Sequence, residues 1–295
     1  MKNETFLAEL AGHQGELDAL RLRIERELQQ LLETHGVQVQ FVTSRTKSAD
    51  SLRRKIARPD RTYEQLWDVT DLVGIRIATY FEDTIDTVAR LIEQRYRVDF
   101  ALSTDKLRFT DHGRFGYRSL HYVCVPPADA GLGHDMRFEV QVRTVLQHAW
   151  AEVEHDLGYK ASESVPEVIR RRFSRIASLL EIADQEFVSI RTDLASYQAQ
   201  VRAELSDPSR PLPLDVVSLA EVIHTDAVGA LDGRLAEQLR LPLGSEPWSP
   251  GYLLALLRLA RIRTTRELLD AASVHASDAL RIVAPYFAFA RKHLN

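Results

Sequence analysis

The sequence is poor in the residues that staple or anchor a chain. Of 295 residues only Cys124 is a cysteine, so no disulfide can close within the chain, and a reducing, cytoplasmic setting is the expectation. No stretch approaches the roughly 20 uninterrupted apolar residues that a membrane helix requires. The start, Met1-Lys2-Asn3-Glu4-Thr5, lacks the apolar run and small-residue cleavage site of a secretory signal. No membrane partner is therefore expected. An excess of one charge is lacking too. The 38 basic and 42 acidic side chains leave a net charge of -4, which argues against a general nucleic-acid coat or a DNA partner and leaves room only for a local basic site. The sequence contains no G-x-x-x-x-G-K-[ST] loop, no G-x-G-x-x-G and no C-x-x-C, which removes the common nucleotide and zinc signatures. Internal repeats and low-complexity tracts are missing as well.

What is present is apolar side chain, 45% of the total. That is too much for a disordered chain and enough for one large core or two smaller ones. Leu7, Leu10, Leu17, Leu20, Ile24, Leu28, Leu31 and Leu32 recur at helical intervals and predict one amphipathic helix over 5–34, closed by His35 and Gly36. Strands are expected at 37–42, 74–80, 96–102, 119–125 and 136–142, with helices near 47–57, 83–94 and 144–157. Five strands mixed with helices predict an α/β or α+β domain around one sheet. From Pro166 to Leu205 the pattern is purely helical, with Ile169, Phe173, Ile176, Leu180, Ala183, Phe187, Ile190, Leu194, Tyr197 and Val201 on one face. The run 206–213, rich in proline and serine, reads as a linker. Residues 214–295 read as several short helices, with Pro250 in the first turn of one and Thr264 or Thr265 capping another.

Charged groups gather beside the expected strands. Lys47, Ser51 and Lys55 are spaced by four and would share a helix face near Arg45, an arrangement able to grip a polyphosphate and equally compatible with a solvated basic helix. Asp71 stands at the mouth of a strand, where it can hold a divalent metal or cap a helix. Alternation places Glu139, Gln141 and Arg143 on one strand face, either an open site or an ordinary solvated face. Asp71 and Glu139 together suit Mg2+, which takes one or two carboxylates plus substrate phosphates. Tyr117, Ser119 and His121 also alternate onto one face, with a ring able to stack a base or simply to pack. His148, Glu152 and His155 share a helix face but lack a zinc spacing.

Taken in order, R-x-K-x-x-x-S-x-x-x-K from Arg45, D-L-x-G-x-R from Asp71, G-Y-x-S-x-H from Gly116, E-x-Q-x-R-T from Glu139 and E-H-x-x-x-Y-K from Glu154 resemble the synthetase domain of the RelA/SpoT alarmone synthetases. The motif core spans 37–160, and flanking helices extend the likeness over 1–205, leaving 206–295 outside it. The resemblance implies an α+β fold: a mixed five-stranded, nucleotidyltransferase-like sheet wrapped by helices, followed here by a small all-helical C-terminal domain. It implies transfer of the β,γ-pyrophosphate of ATP to the 3′-hydroxyl of GDP or GTP, with release of AMP. Carried over residue by residue, it assigns ATP to Arg45, Lys47, Ser51, Lys55 and Arg76. Mg2+ goes to Asp71 and Glu139, the latter sharing the metal or acting as base. The acceptor falls to Tyr117, which would stack its base, and to His121, Gln141, Arg143 and Lys106.

The chain departs from the family pattern at Gly113 and Phe115, where guanine-nucleotide enzymes usually carry lysine and asparagine ahead of the stacking tyrosine. Two alternatives therefore stand beside the guanine acceptor: a small synthetase-like enzyme acting on the 3′ end of tRNA, and a nucleotide-binding regulator without catalysis. No hydrolase domain is expected. The C-terminal helices are candidates for binding a regulator or for oligomerisation.

Overall fold

The computed structural model describes residues 2–58, 62–105, 119–126, 136–159, 166–205, 211–239 and 250–274. The chain divides into two compact units, Met1–Ser189 and Ile190–Asn295. The first runs α1 Lys2–Gly12, α2 Gln14–Thr34, β1 Val39–Thr46, α3 Ala49–Ile56, β2 Val73–Thr79, α4 Asp83–Arg95, β3 Arg97–Val98, β4 Thr104–Asp105, β5 Leu120–Val125, β6 Phe138–Thr144 and α5 Val145–Tyr159. The long α6, Glu167–Leu205, continues past the unit boundary. The strands form one sheet in the order β1-β2-β6-β5-β3, with β4 also pairing β5. Among the described strand pairs only β2 and β6 are parallel; the others are antiparallel. The five expected strands are there, and the two-residue β4 is added to them.

Alternation gives the sheet two chemically distinct faces. Val73, Ile75 and Ile77 of β2, Phe138, Val140 and Val142 of β6, and Leu120, Tyr122 and Cys124 of β5 are buried together with α2 and α4. Helix α2 contributes Leu17, Leu20, Ile24, Leu28 and Leu32, all buried at intervals of three and four, so its packing is set by its apolar period. The other face carries the charged residues.

Several expectations are corrected. The helix expected over 5–34 is two helices that meet at His13, between Gly12 and Gly15, where weak helix formers loosen the backbone. Gly36 does close α2, with φ +65, a conformation suited to glycine. The strand expected at 96–102 shrinks to Arg97–Val98 because Asp99 turns the chain: its carbonyl accepts from the N–H groups of Leu102 and Ser103, and its carboxylate accepts from Leu102 as well. Conversely β1 runs to Thr46, four residues beyond the expected end. Its hydroxyls at Ser44 and Thr46 bond Arg21, Gln14 and Asp18 of α2, so what resembled a polar loop is a strand with a satisfied inner edge.

Helix α6 stands where expected, and its buried side follows the expected face only in part: Val201 is fully buried and Phe173, Leu180, Ala183 and Tyr197 are partly so. Ala177 and Asp184 are buried, whereas Ile176 and Phe187 are nearly half exposed. The Thr144 hydroxyl at the end of β6 donates to Asp184 at 2.7 Å, a buried polar contact that holds this side of α6 to the end of the strand.

In the second unit, α7 Val216–Ile223, α8 Asp226–Leu239, α9 Pro250–Leu259 and α10 Thr265–Val274 follow. Leu214, Leu219 and Leu254 form a small core. Asp215 caps α7 by accepting from the Ser218 N–H at 2.7 Å, and the Tyr197 hydroxyl donates to it at 2.5 Å. Pro250 begins α9, and the Thr264 hydroxyl accepts from the Glu267 N–H at 3.2 Å, both as the sequence predicts.

Candidate active site

Strand register assembles the charged face. Gly74 of β2 lies beside Arg45 of β1 and Glu139 of β6, and Glu139 lies beside Val123 of β5. The next row on the same face is Thr43, Arg76, Gln141 and His121. Arg143 follows two residues after Gln141 on β6 and pairs with Ala78. Residues separated by up to about a hundred positions thus meet because strand pairing brings every second side chain to one side.

Lys47 and Lys55 reach this face by a route the sequence does not predict. Lys47 is not helical: its N–H donates to the Leu72 carbonyl at 2.8 Å, and the N-cap of α3 is Ser48. The expected Lys47–Ser51–Lys55 helix face therefore does not exist as such. The two ammoniums nevertheless converge on one carboxylate. Lys47 donates to Asp71 Oδ2 at 2.6 Å and Lys55 to Asp71 Oδ1 at 2.7 Å. Burial pushes the Lys47 ammonium below its usual range, while the adjacent Asp71 carboxylate works to keep it charged. Ser51 lies apart from this pair, bonded to the Ser48 hydroxyl and to Arg54.

Glu139 sits in a bed of donors. Gln141 Nε2 donates to its Oε1 at 2.5 Å, and His121 Nδ1 lies 3.2 Å from the same oxygen. Arg143 Nη2 approaches His121 Nε2 at 3.1 Å, as does the Ser119 hydroxyl at 2.8 Å. Arginine can only donate, so Nε2 accepts and the ring proton sits on Nδ1, directed at Glu139. Burial raises the Glu139 carboxyl, but the His121 hydrogen bond, the charge of that ring when it is protonated, the Gln141 hydrogen bond and the Lys55 charge outweigh it and hold the group down to about 2. The Gln141 and His121 donors both reach Oε1, and none of the described residues donates to Oε2.

Arg76 extends Nη1 to Glu152 of α5 at 2.7 Å, a partner that sequence spacing does not reveal because it lies 76 residues away. The Nε atoms of Arg76 and Arg143 are buried without an acceptor. Among the described residues, Arg45, Lys47, Lys55, Arg76 and Arg143 stand around Asp71, Glu139 and Glu152, so cations exceed carboxylates there. Unsatisfied buried donors and surplus positive charge together describe a site shaped for a polyanion. By contrast, an open cleft of about 570 Å³ at the other end of β1, lined by Gln29, Glu33, Phe41 and Tyr80 among others, carries no lysine or arginine. Lys106 and Tyr117 fall outside the described residues. No group of three metal-ligating side chains occurs among the described residues; Glu152 is engaged by Arg76, and the His155 side chain lies outside the described ones.

Residues 44–164 match the model described as a region found in RelA / SpoT proteins. This stretch belongs to the RelA/SpoT family. The RelA/SpoT region contains every residue placed above on the charged face except Thr43. The chain is 28% identical over 193 residues to GTP pyrophosphokinase YjbM of Bacillus subtilis, covering 64% of this chain and 90% of that protein. It is similar in fold to the small alarmone synthetase 1 from Bacillus subtilis, with a TM-score of 0.56, 25% identity, and coverage of 64% of this chain and 98% of that one. A structure of the same synthetase bound to its product pppGpp gives a TM-score of 0.54 at 27% identity, covering 65% and 99% of the two chains.

Proposed function

We propose that the chain is an ATP-dependent pyrophosphokinase that transfers the β,γ-pyrophosphate of ATP to the 3′-hydroxyl of GDP or GTP, making (p)ppGpp and releasing AMP. The observation that carries this reading is the excess of cations on the sheet face, with buried, acceptor-free N–H groups on Arg76 and Arg143, inside a RelA/SpoT region. The name of YjbM and the pppGpp bound to the related synthetase support the guanine acceptor.

Arg45, Lys47, Lys55 and Arg76 hold the triphosphate; Ser51 stands at the edge of that group. Asp71 and Glu139 would suit Mg2+, which takes one or two carboxylates together with substrate phosphates and water. Bound there, Mg2+ would offset charge on the phosphates. The 3′-oxygen bonds to Pβ, the bond from Pβ to the bridging oxygen of AMP breaks, and the hydroxyl proton passes to solvent water. A carboxylate held to about 2 is a weak proton acceptor, which favours Glu139 as a source of fixed charge over Glu139 as base. His121 and Gln141 fix the orientation of that carboxylate, and Arg143 fixes His121. We assign the acceptor base to Tyr117, with Lys106 nearby in sequence to its phosphates, and treat 214–295 as accessory helices joined through 206–213.

The test uses γ-³²P-labelled ATP and Mg2+ with GDP, GTP or deacylated tRNA in separate reactions, beside Glu139→Gln. Label on guanine nucleotide, lost in the variant, is the expected result. Label on tRNA alone would overturn the acceptor assignment. No transfer to any acceptor would overturn the enzyme reading in favour of a nucleotide-binding regulator.

A further inference from the structure

Asp71 gives both of its oxygens to lysine: Oδ2 to Lys47 at 2.6 Å and Oδ1 to Lys55 at 2.7 Å. The other carboxylate of the pair is arranged differently. Glu139 takes its two donors, Gln141 and His121, on Oε1, and none of the described residues donates to Oε2. Among the described residues one side of the expected metal position is thus open, and the other is covered by two positive charges.

We propose that Lys47 and Lys55 lock the metal site, holding Asp71 until a polyphosphate draws them off, so that divalent cation and nucleotide bind as a coupled pair. This rests on the reading of Asp71 as a metal ligand in a nucleotide site and concerns the regulation of that same site. A cation arriving alone must compete with two ammoniums for a single carboxylate. It cannot simply displace them, because the Lys47 side chain is only 8% exposed and would be left as a buried charge without a counter-ion. A cation arriving with a chain of phosphates brings acceptors for both ammoniums, and the exchange frees Asp71. Nucleotide arriving without a cation would take the lysines but leave the bare Asp71 carboxylate facing its phosphates. Each ligand therefore raises the affinity of the other by the same factor. Two direct ion pairs change partners, so a factor on the order of 10 to 100 is expected, within the range common for such coupling.

The primary test counts free Mn2+ by electron paramagnetic resonance, with the protein alone and no nucleotide. Lys47→Met and Lys55→Met each uncover one oxygen of Asp71 and should bind Mn2+ at least tenfold more tightly than the unaltered chain. Arg53→Met removes from α3, the helix of Lys55, a cation that pairs with Asp50 rather than Asp71, and should change Mn2+ binding less than twofold. A second titration measures a non-hydrolysable ATP analogue by calorimetry with and without saturating Mg2+, corrected for chelation by the analogue itself. The unaltered chain should gain at least tenfold from the metal, and the lysine variants less. Lysine variants that hold Mn2+ no better than the unaltered chain, or no better than Arg53→Met, overturn the lock. Equal analogue affinity with and without Mg2+ overturns the coupling. Failure of the analogue to bind under any condition would overturn the nucleotide reading itself, and the Mn2+ comparison would still decide the lock. Lys55 is more exposed than Lys47, at 22%, so its variant decides the matter should Lys47→Met fail to fold.

Discussion

The depressed acidity of Glu139 makes a quantitative claim about stability. A carboxylate moved from its ordinary 4.5 to about 2 binds its proton less readily in the folded chain than in the unfolded one. The sign follows: the contribution is fully present above pH 4.5 and is lost as pH falls toward 2. At 1.36 kcal/mol per pH unit the whole contribution is about 3 kcal/mol, of which about 2 kcal/mol has gone by pH 3. The side chain is only 15% exposed, so solvent screening removes little of this. Glu139→Gln deletes the titration while keeping the shape. Its stability relative to the unaltered chain at neutral pH carries no fixed sign, because the charge itself is costly to bury. What is fixed is the trend: the stability advantage of the unaltered chain over the variant should shrink by about 2 kcal/mol between pH 6 and pH 3. Urea titrations of both proteins at the two pH values measure it, followed by the fluorescence of the three tryptophans, of which Trp67 and Trp150 are buried in the first unit. The remaining carboxylates titrate alike in both proteins and cancel. A difference that stays within about 0.5 kcal/mol across that range would refute the account of Glu139 as an ionised, donor-saturated carboxylate.

Three further outcomes follow from the packing. Phe138, fully buried in the central strand against Tyr96, should cost about 3–5 kcal/mol when cut to alanine, read as a lower denaturant midpoint; a cost below about 1 kcal/mol would contradict its place in the core. Thr144→Val removes the hydroxyl that bonds the buried Asp184 and should cost about 1–3 kcal/mol, seen by calorimetry as a lower melting temperature, whereas an unchanged melting temperature would show that this contact does not hold α6. Burial pushes the Cys124 thiol up to about 12, so at pH 8 a disulfide reagent should count no thiol in the folded protein and one in urea; prompt reaction of the folded protein would refute its burial.

Periodicity made the two faces of the sheet legible. Val140 and Val142 alternate with Glu139, Gln141 and Arg143, and β6 behaves accordingly. The same reasoning overextended the strand at 96–102, because one aspartate at 99 turns the backbone by local hydrogen bonds that a window of hydrophobicity does not register. It ended β1 too early, since Ser44 and Thr46 resemble loop residues until α2 provides their partners. At the site, the motif residues were legible as types but not as contacts. Spacing by four joined Lys47 to Ser51 and Lys55, whereas the structure joins Lys47 and Lys55 through Asp71 and sets Ser51 aside. The Arg76–Glu152 pair was out of reach for the same reason. Interactions across tens of residues depend on register, and register is a property of the whole sheet.

The position of β6 has a consequence for how the molecule is made. It is the central strand of the described sheet, between β2 and β5, yet it is the last of the six in the chain. During synthesis β2 and β5 are complete while the place between them is still empty, and each presents an unpaired edge open to improper pairing. The segment that ends this exposure, Phe138–Thr144, is also the one that carries Glu139, Gln141 and Arg143. Closing the sheet and arming its charged face are therefore one event, and a partly translated chain has neither.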